Sequence, residues 1–321
     1  MRWTLYLIFF VLLLILELFY FKIADKYNII DKPNHRSSHT KPTIRGGGII
    51  FPIALLLGWF YTRFEYSYFI AGLLLISFVS FLDDISHVKR RVRITVHLIA
   101  VILLFYQLGI YNLPFYWILL GFIFVIGTIN AVNFMDGING ITGGYGLITI
   151  LTLICVNLYI VSFTQTEYLI ISALSLAVFN FFNFRIKARC FAGDVGSVSL
   201  AFILVFFIMQ LIIKTNNVSY VLFLLIYGLD AVSTIIFRLI RKEHIAEAHR
   251  THFYQFLANE KKIPHWRISG WYALIQCVVN VLILYLNVNT IMEAIEILSI
   301  LFIIFIAIRF IMEGTTRLIR R

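Results

Sequence analysis

Five clusters of polar residues interrupt an otherwise apolar chain, and their residue types suit phosphate chemistry. Asp83 and Asp84 stand side by side in FLDDISHVKRRVR. Adjacent carboxylates beside an apolar segment are costly unless cations or a metal offset them. Hard oxygens suit Mg²⁺, which takes one or two carboxylates plus substrate phosphates. The plainer reading is a solvated helix end paired with the cations of 89–93. A second cluster, NAVNFMDGING, gathers Asn130, Asn133, Asp136 and Asn139 with two glycines. Turn chemistry accounts for the Asp-Gly and Asn-Gly steps. It does not account for Asn130 and Asn133 at the membrane end of a span, where amides can read the edge of a base.

The third cluster runs from Asn183 through Arg185, Lys187 and Arg189 to Phe191, Gly193, Asp194, Gly196 and Ser197. A helix opening here presents free N–H groups that favour anions. Alternatively, Asp194 or Ser197 simply caps that helix and the basic residues orient the chain. The fourth cluster is His249, Arg250 and His252. The histidines, three apart, could share a helix face. No third soft ligand accompanies them, so phosphate contact is favoured over a transition metal, with a solvated basic loop as the alternative. The fifth cluster runs from Asn34, His35, Arg36, Ser37, Ser38 and His39 to Arg45 and the run Gly46, Gly47, Gly48. Three glycines opening a helix weaken it. They fit a bend, a close backbone contact with phosphate, or a re-entrant turn without ligand.

The elements that position these clusters are membrane spans. Of 321 residues, 61% are hydrophobic and only 13% charged, against about 25% charged in a soluble domain. The mean hydropathy is +0.91. Apolar runs read as eleven spans, at 3–21, 47–63, 67–82, 94–110, 115–133, 145–163, 168–184, 197–214, 219–237, 270–287 and 291–312. The first is long for a signal peptide and lacks a small-residue cleavage site, so it reads as a retained span. The expected fold is all-α: a polytopic bundle of ten or eleven transmembrane helices in a single domain, 1–321.

Sorting the connections by parity separates the charge. Of the 27 Lys and Arg residues, Arg2, Arg63 and Lys214 fall on one side, and the other 24 flank the loops 22–46, 83–93, 134–144, 185–196 and 238–269 and the tail. By the positive-inside rule that side is cytoplasmic, the N-terminus outside and the C-terminus inside. All five clusters lie on it. The net charge of +11 is confined to these loops, which points to anionic lipids and substrates rather than nucleic acid. Cys155, Cys190 and Cys277 form no disulfide or metal pattern.

In this order, and on one side, FLDD, NAVNFMDGINGITGG and FAGDVGS resemble the polyprenyl-phosphate N-acetylhexosamine-1-phosphate transferases over roughly residues 33 to 256. That superfamily includes the peptidoglycan lipid I translocase and the initiators of O-antigen. The RSSH…RGGG segment and AHRTHFYQ look like the O-antigen-initiating branch. Asn139 stands where peptidoglycan enzymes carry Asp. The resemblance implies an essential pair at Asp83 and Asp84, an Mg²⁺ ligand at Asp194 with Asp83 beside it, and Mn²⁺ as an alternative ion. It implies a nucleotide loop with Asn133, Asp136 and Asn139, joined by Asn130 and Asn183, and an aromatic at Phe191 stacking on uracil. His249 and His252 would lie near the diphosphate, with Arg45 and Arg250 as phosphate contacts. The implied partners are a UDP-N-acetylhexosamine, undecaprenyl phosphate, membrane lipids and a second copy of the chain, in the bacterial inner membrane.

Three other classes fit less well. A transporter for an anionic or lipid-linked sugar would place its site near the midplane, where only Glu17, Asp230, Glu293 and Glu296 are available. A scaffold explains none of the clusters. A CDP-alcohol phosphotransferase needs further aspartates that ITGGYGLITI lacks. Within the resemblance, the phospho-MurNAc-pentapeptide transferase remains the alternative.

Overall fold

The computed structural model describes residues 2–31, 42–245 and 249–320, so the Asn34 to His39 cluster lies outside the described residues. All eleven apolar segments are helical. The long helices are α1 (Arg2–Tyr27), α3 (Ser67–Ile85), α4 (Arg90–Leu108), α5 (Phe115–Met135), α6 (Ile141–Tyr159), α7 (Thr166–Asn183), α8 (Gly193–Thr215), α11 (His265–Tyr285) and α12 (Ile291–Glu313), with α9 (Leu225–Ile240) extended by a 3₁₀ segment at Val218–Leu224. These ten are long and apolar enough to cross a membrane. The eleventh, α2 (Ile50–Tyr61), follows a 3₁₀ turn at Gly47–Ile49. Together they reach roughly 24 Å at 1.5–2.0 Å per residue. Two short helices, α10 (Phe253–Asn259) and α13 (Thr315–Ile319), complete the chain.

Contacts at the helix ends define two faces. On one, Thr62 donates to Tyr168 Oη at 2.9 Å and Asn217 Nδ2 to the Val288 carbonyl at 2.8 Å. On the other, the backbone of 44–48 is laced to 190–192: Phe191 N donates to the Ile44 carbonyl and Gly47 N to that of Phe191, both at 2.8 Å. Short α2 therefore runs from face to face, and the connections alternate as the charge sorting requires.

Packing centres on α8, which is buried along nearly all its length between α3, α5 and α6. Phe69 of α3 stacks on Phe206 of α8 with centroids 3.7 Å apart. Helix α12 is the opposite case, apolar and exposed almost throughout, as a lipid-facing helix should be. The glycine run is explained by this packing. A Cβ on Gly48 would collide with Gly196 at the start of α8, and one on Gly196 would lie 2.7 Å from Gly48 Cα. The close backbone contact is thus with a neighbouring helix. Gly46, at φ +78°, makes the turn that precedes it.

Candidate functional site

The charged face is organised by the first turn of α8. Its N–H groups are not capped by Asp194 or Ser197. They are capped from α3: Asp194 N donates to Asp84 Oδ1 at 2.9 Å, and Val195 N to Asp84 Oδ2 at 3.0 Å. Arg45 Nε reaches the same Oδ1 at 2.6 Å, and its Nη2 lies 3.5 Å from Asp194 Oδ1. Tyr20 Oη fixes the Arg45 carbonyl at 2.5 Å. Burial opposes the Arg45 charge, but the carboxylates of Asp84 and Asp194 outweigh it and hold the guanidinium above its usual range.

Asp83 points the other way. Its Oδ1 accepts from Val88 N at 2.8 Å and its Oδ2 from Arg93 Nη1 at 2.7 Å. The Asp83 and Asp194 carboxyl groups come within hydrogen-bonding reach of each other. Asn133 Nδ2 donates to Asp194 Oδ1 at 3.3 Å and Ser197 Oγ at 3.0 Å. Arg45, Asp83, Asp84, Asn133 and Asp194, drawn from four clusters, are therefore one network.

His249 and His252 precede α10 and are not on a helix, so the shared helix face does not form. Their rings are nevertheless 4.9 Å apart. Asp230, buried in α9, accepts from Phe253 N at 2.9 Å and Tyr272 Oη at 2.7 Å, and lies 3.3 Å from His252 Nδ1. This leaves His252 Nε2 enclosed and without a partner among the described residues. Arg309, the buried cation of α12, donates to the Thr251 carbonyl at 3.0 Å and to the hydroxyls of Ser233 and Thr234, both at 2.9 Å. Burial, reinforced by the neighbouring His252, pushes the His249 imidazole down to about 4.

Both halves face one groove of about 920 Å³. Its polar end carries Arg93, Asn130, Asn133, Asp194, His249 and His252; its apolar length carries Leu98, Phe122, Ile123 and Ile126. The cause is the geometry of α4 and α5. They meet near the opposite face, where Phe105 packs on Phe122 with centroids 6.0 Å apart. Towards the charged face they flank the groove, with Val198 of α8 also lining it.

Two of the remaining expected residues, Asn183 and Asn139, are tied into the framework. Asn183 accepts from Gly140 N at 2.7 Å and donates to the Cys190 carbonyl at 2.8 Å. Asn139 Nδ2 donates to the Arg185 carbonyl at 3.0 Å. Both amides tie the 136–140 turn to the loop before α8. Asp136 is half-buried beside this turn, and the protein around its carboxyl pushes it up to about 7. Phe191 and Arg250 are half-buried; Phe191 is held through its backbone to Ile44.

Among the described residues no three His, Cys, Asp or Glu side chains form a closed metal cage. The Asp83–Asp194 pair is a different donor set. Two neighbouring carboxyl groups favour a proton or a cation between them, and two hard oxygen ligands leave most of a coordination sphere for phosphates and water. The pair fits Mg²⁺ on those terms.

The sequence model of glycosyl transferase family 4 matches residues 66–212. That stretch holds Asp83, Asp84, Asn133, Asp136 and Asp194; Arg45, His249 and His252 lie outside it. No curated protein matches the chain.

Proposed function

Residues 66–212 belong to glycosyl transferase family 4, and from that premise we propose that the chain transfers an N-acetylated hexosamine 1-phosphate from a UDP-sugar to undecaprenyl phosphate, releasing UMP. The reading extends to the cytoplasmic face of the bacterial inner membrane and to initiation of a cell-envelope glycan such as O-antigen. One observation carries it: a network of carboxylates and cations lies at the polar end of a groove whose remaining lining is mostly apolar.

The acceptor phosphate, with a second pKa near 6, is largely dianionic at neutral pH. Its oxygen attacks the β-phosphorus, and the bond from that phosphorus to the oxygen bridging to the α-phosphorus breaks. UMP leaves with that oxygen and the electron pair. The difficulty is bringing two anions together, so catalysis is chiefly positioning and charge neutralisation. Asp194 and Asp83 would hold Mg²⁺ or Mn²⁺, which supplies charge for the diphosphate and the leaving UMP. Arg45 and Arg93 add fixed positive charge beside them. His252 is oriented by Asp230 at the polar end of the groove, where the phosphates would lie. The acceptor phosphate is already a competent anion, so a covalent step through Asp83 would gain little, which favours direct transfer over a phospho-enzyme.

Purified protein given undecaprenyl phosphate and a panel of UDP-N-acetylhexosamines tests the reading. UMP release with at least one donor, dependent on the lipid phosphate, is expected; none with any donor overturns it.

A further inference from the structure

A second tier of polar groups lies about one helical turn deeper than the carboxylates and belongs to none of the networks above. Ser80 of α3 is 1% exposed, and its Oγ has no partner among the described residues. Many helix hydroxyls in this chain return to a carbonyl one turn back, as Ser172 does to Tyr168 at 2.7 Å and Thr152 to Ile148 at 2.9 Å. Ser80 does not. Ser77 and Thr142 are also buried without a partner among the described residues, but neither lines the groove. His97 of α4 has its Nε2 enclosed and equally without a partner.

Helices α3 and α4 are antiparallel, in a register set by Asp83–Arg93 near the charged face and by Tyr68 N to Gln107 Oε1, 3.0 Å, near the other. That register brings Ser80 level with His97, and both line the groove. Unmet polar atoms at membrane depth cost several kcal/mol each, so a pair of them enclosed on residues that line one cavity calls for a ligand. That ligand needs a polar head at this depth and an apolar body beyond it, along Leu98, Ile123 and Ile126. A UDP-sugar has no such body.

We propose that Ser80 and His97 seat the phosphate of the lipid acceptor. The Ser80 hydroxyl and the Nε2–H tautomer of His97 donate to two of its oxygens, and a third oxygen faces the level of Asp83 and Asp194 for attack. This assignment rests on the transferase reading and names which residues hold its second substrate.

The test separates the two substrates. In detergent micelles, His97→Ala should raise the KM for undecaprenyl phosphate roughly ten- to a hundredfold, with the KM for the UDP-sugar unchanged. Ser80→Ala should act in the same direction and less strongly, and His97→Gln, which keeps a donor, should recover part of the loss. If His97→Ala does not fold, Ser80→Ala and His97→Gln carry the comparison. An acceptor KM unchanged in folded variants, or a donor KM rising in step, overturns the assignment. Should the wild type release no UMP with any donor, the transferase reading fails by itself, and binding decides the site. Native mass spectrometry of the full chain should then show preference for undecaprenyl phosphate over undecaprenol, lost in His97→Ala. Equal preference in both proteins overturns the assignment.

Discussion

Asp84 caps the helix that carries Asp194, its two carboxylate oxygens accepting the N–H groups of Asp194 and Val195 at 2.9 and 3.0 Å. Asp84 is thereby a framework residue and Asp194 the one it presents, although both are aspartates on the same face. Asp84→Ala should lower stability by about 3–5 kcal/mol, the scale for removing one partner of a buried ion pair. Asp194→Asn should melt at or above the wild type, because burial opposes the carboxylate charge that the amide lacks. Thermal unfolding followed by tryptophan fluorescence checks both, and equal melting of Asp84→Ala and the wild type would remove the capping role.

Metal dependence follows from the Asp83–Asp194 pair. EDTA should silence UMP release and Mg²⁺ should restore it. Asp194→Asn should lose at least about 100-fold in rate while remaining folded. Full turnover in EDTA would sink the metal assignment.

Asp136 supplies a pH signature. Its carboxyl is held up to about 7 against an ordinary 3.8. Between those values the folded chain binds more protons here than the unfolded chain does, so stability falls as pH rises. Asp136→Asn should remove this component, leaving the wild type to lose stability relative to the variant between about pH 4 and pH 7. His249, held down to about 4, has the opposite slope between that value and its ordinary 6.5, but it is common to both proteins. Parallel pH profiles would contradict the enclosure of Asp136.

The two faces can be read by labelling. Gln165 and Lys261 are both exposed, on opposite faces. With Cys155 and Cys277 replaced, cysteine in place of Gln165 should react with an impermeant reagent in intact cells, and cysteine in place of Lys261 should not. The reverse pattern would place the carboxylate network outside.

Direct transfer assembles both substrates at once. Initial velocities should give intersecting lines, and protein incubated with β-³²P-labelled UDP-sugar without lipid should retain no label. Parallel lines with labelled protein, lost in Asp83→Asn, would make Asp83 a nucleophile.

The helices and the two faces are legible in the sequence, because apolar runs and Lys/Arg bias report them directly. The reading stops about one turn short at the charged face. Helices α4, α6, α8 and α11 begin at Arg90, Ile141, Gly193 and His265, earlier than their apolar segments at 94, 145, 197 and 270. Their first turns are polar and extend past the greasy stretch, so Asp194 belongs to a helix rather than a loop, as do Asp83 and Asp84 at the end of α3. The clusters name the chemistry, but pairing within them is hidden. The cap on α8 comes from 110 residues away, and no local pattern announces it. Asn139 and Asn183 have the right types for binding and spend their amides on the backbone. Asp230 is visible only as a charge inside a span. Arg309, Ser80 and His97 carry no motif; their roles arise only when α3, α4, α9 and α12 are assembled.

The groove between α4 and α5 has a kinetic consequence. Its apolar length is walled by residues such as Ile94, Leu98 and Ile123, which are themselves exposed on the outer surface of the bundle. A ligand lodged there arrives by diffusion within one leaflet, not from the aqueous phase. Its occupancy then follows its mole fraction among the surrounding lipids. Diluting it with inert detergent or phospholipid at constant bulk concentration should slow its capture, whereas a water-borne substrate at the polar end would be indifferent to that dilution.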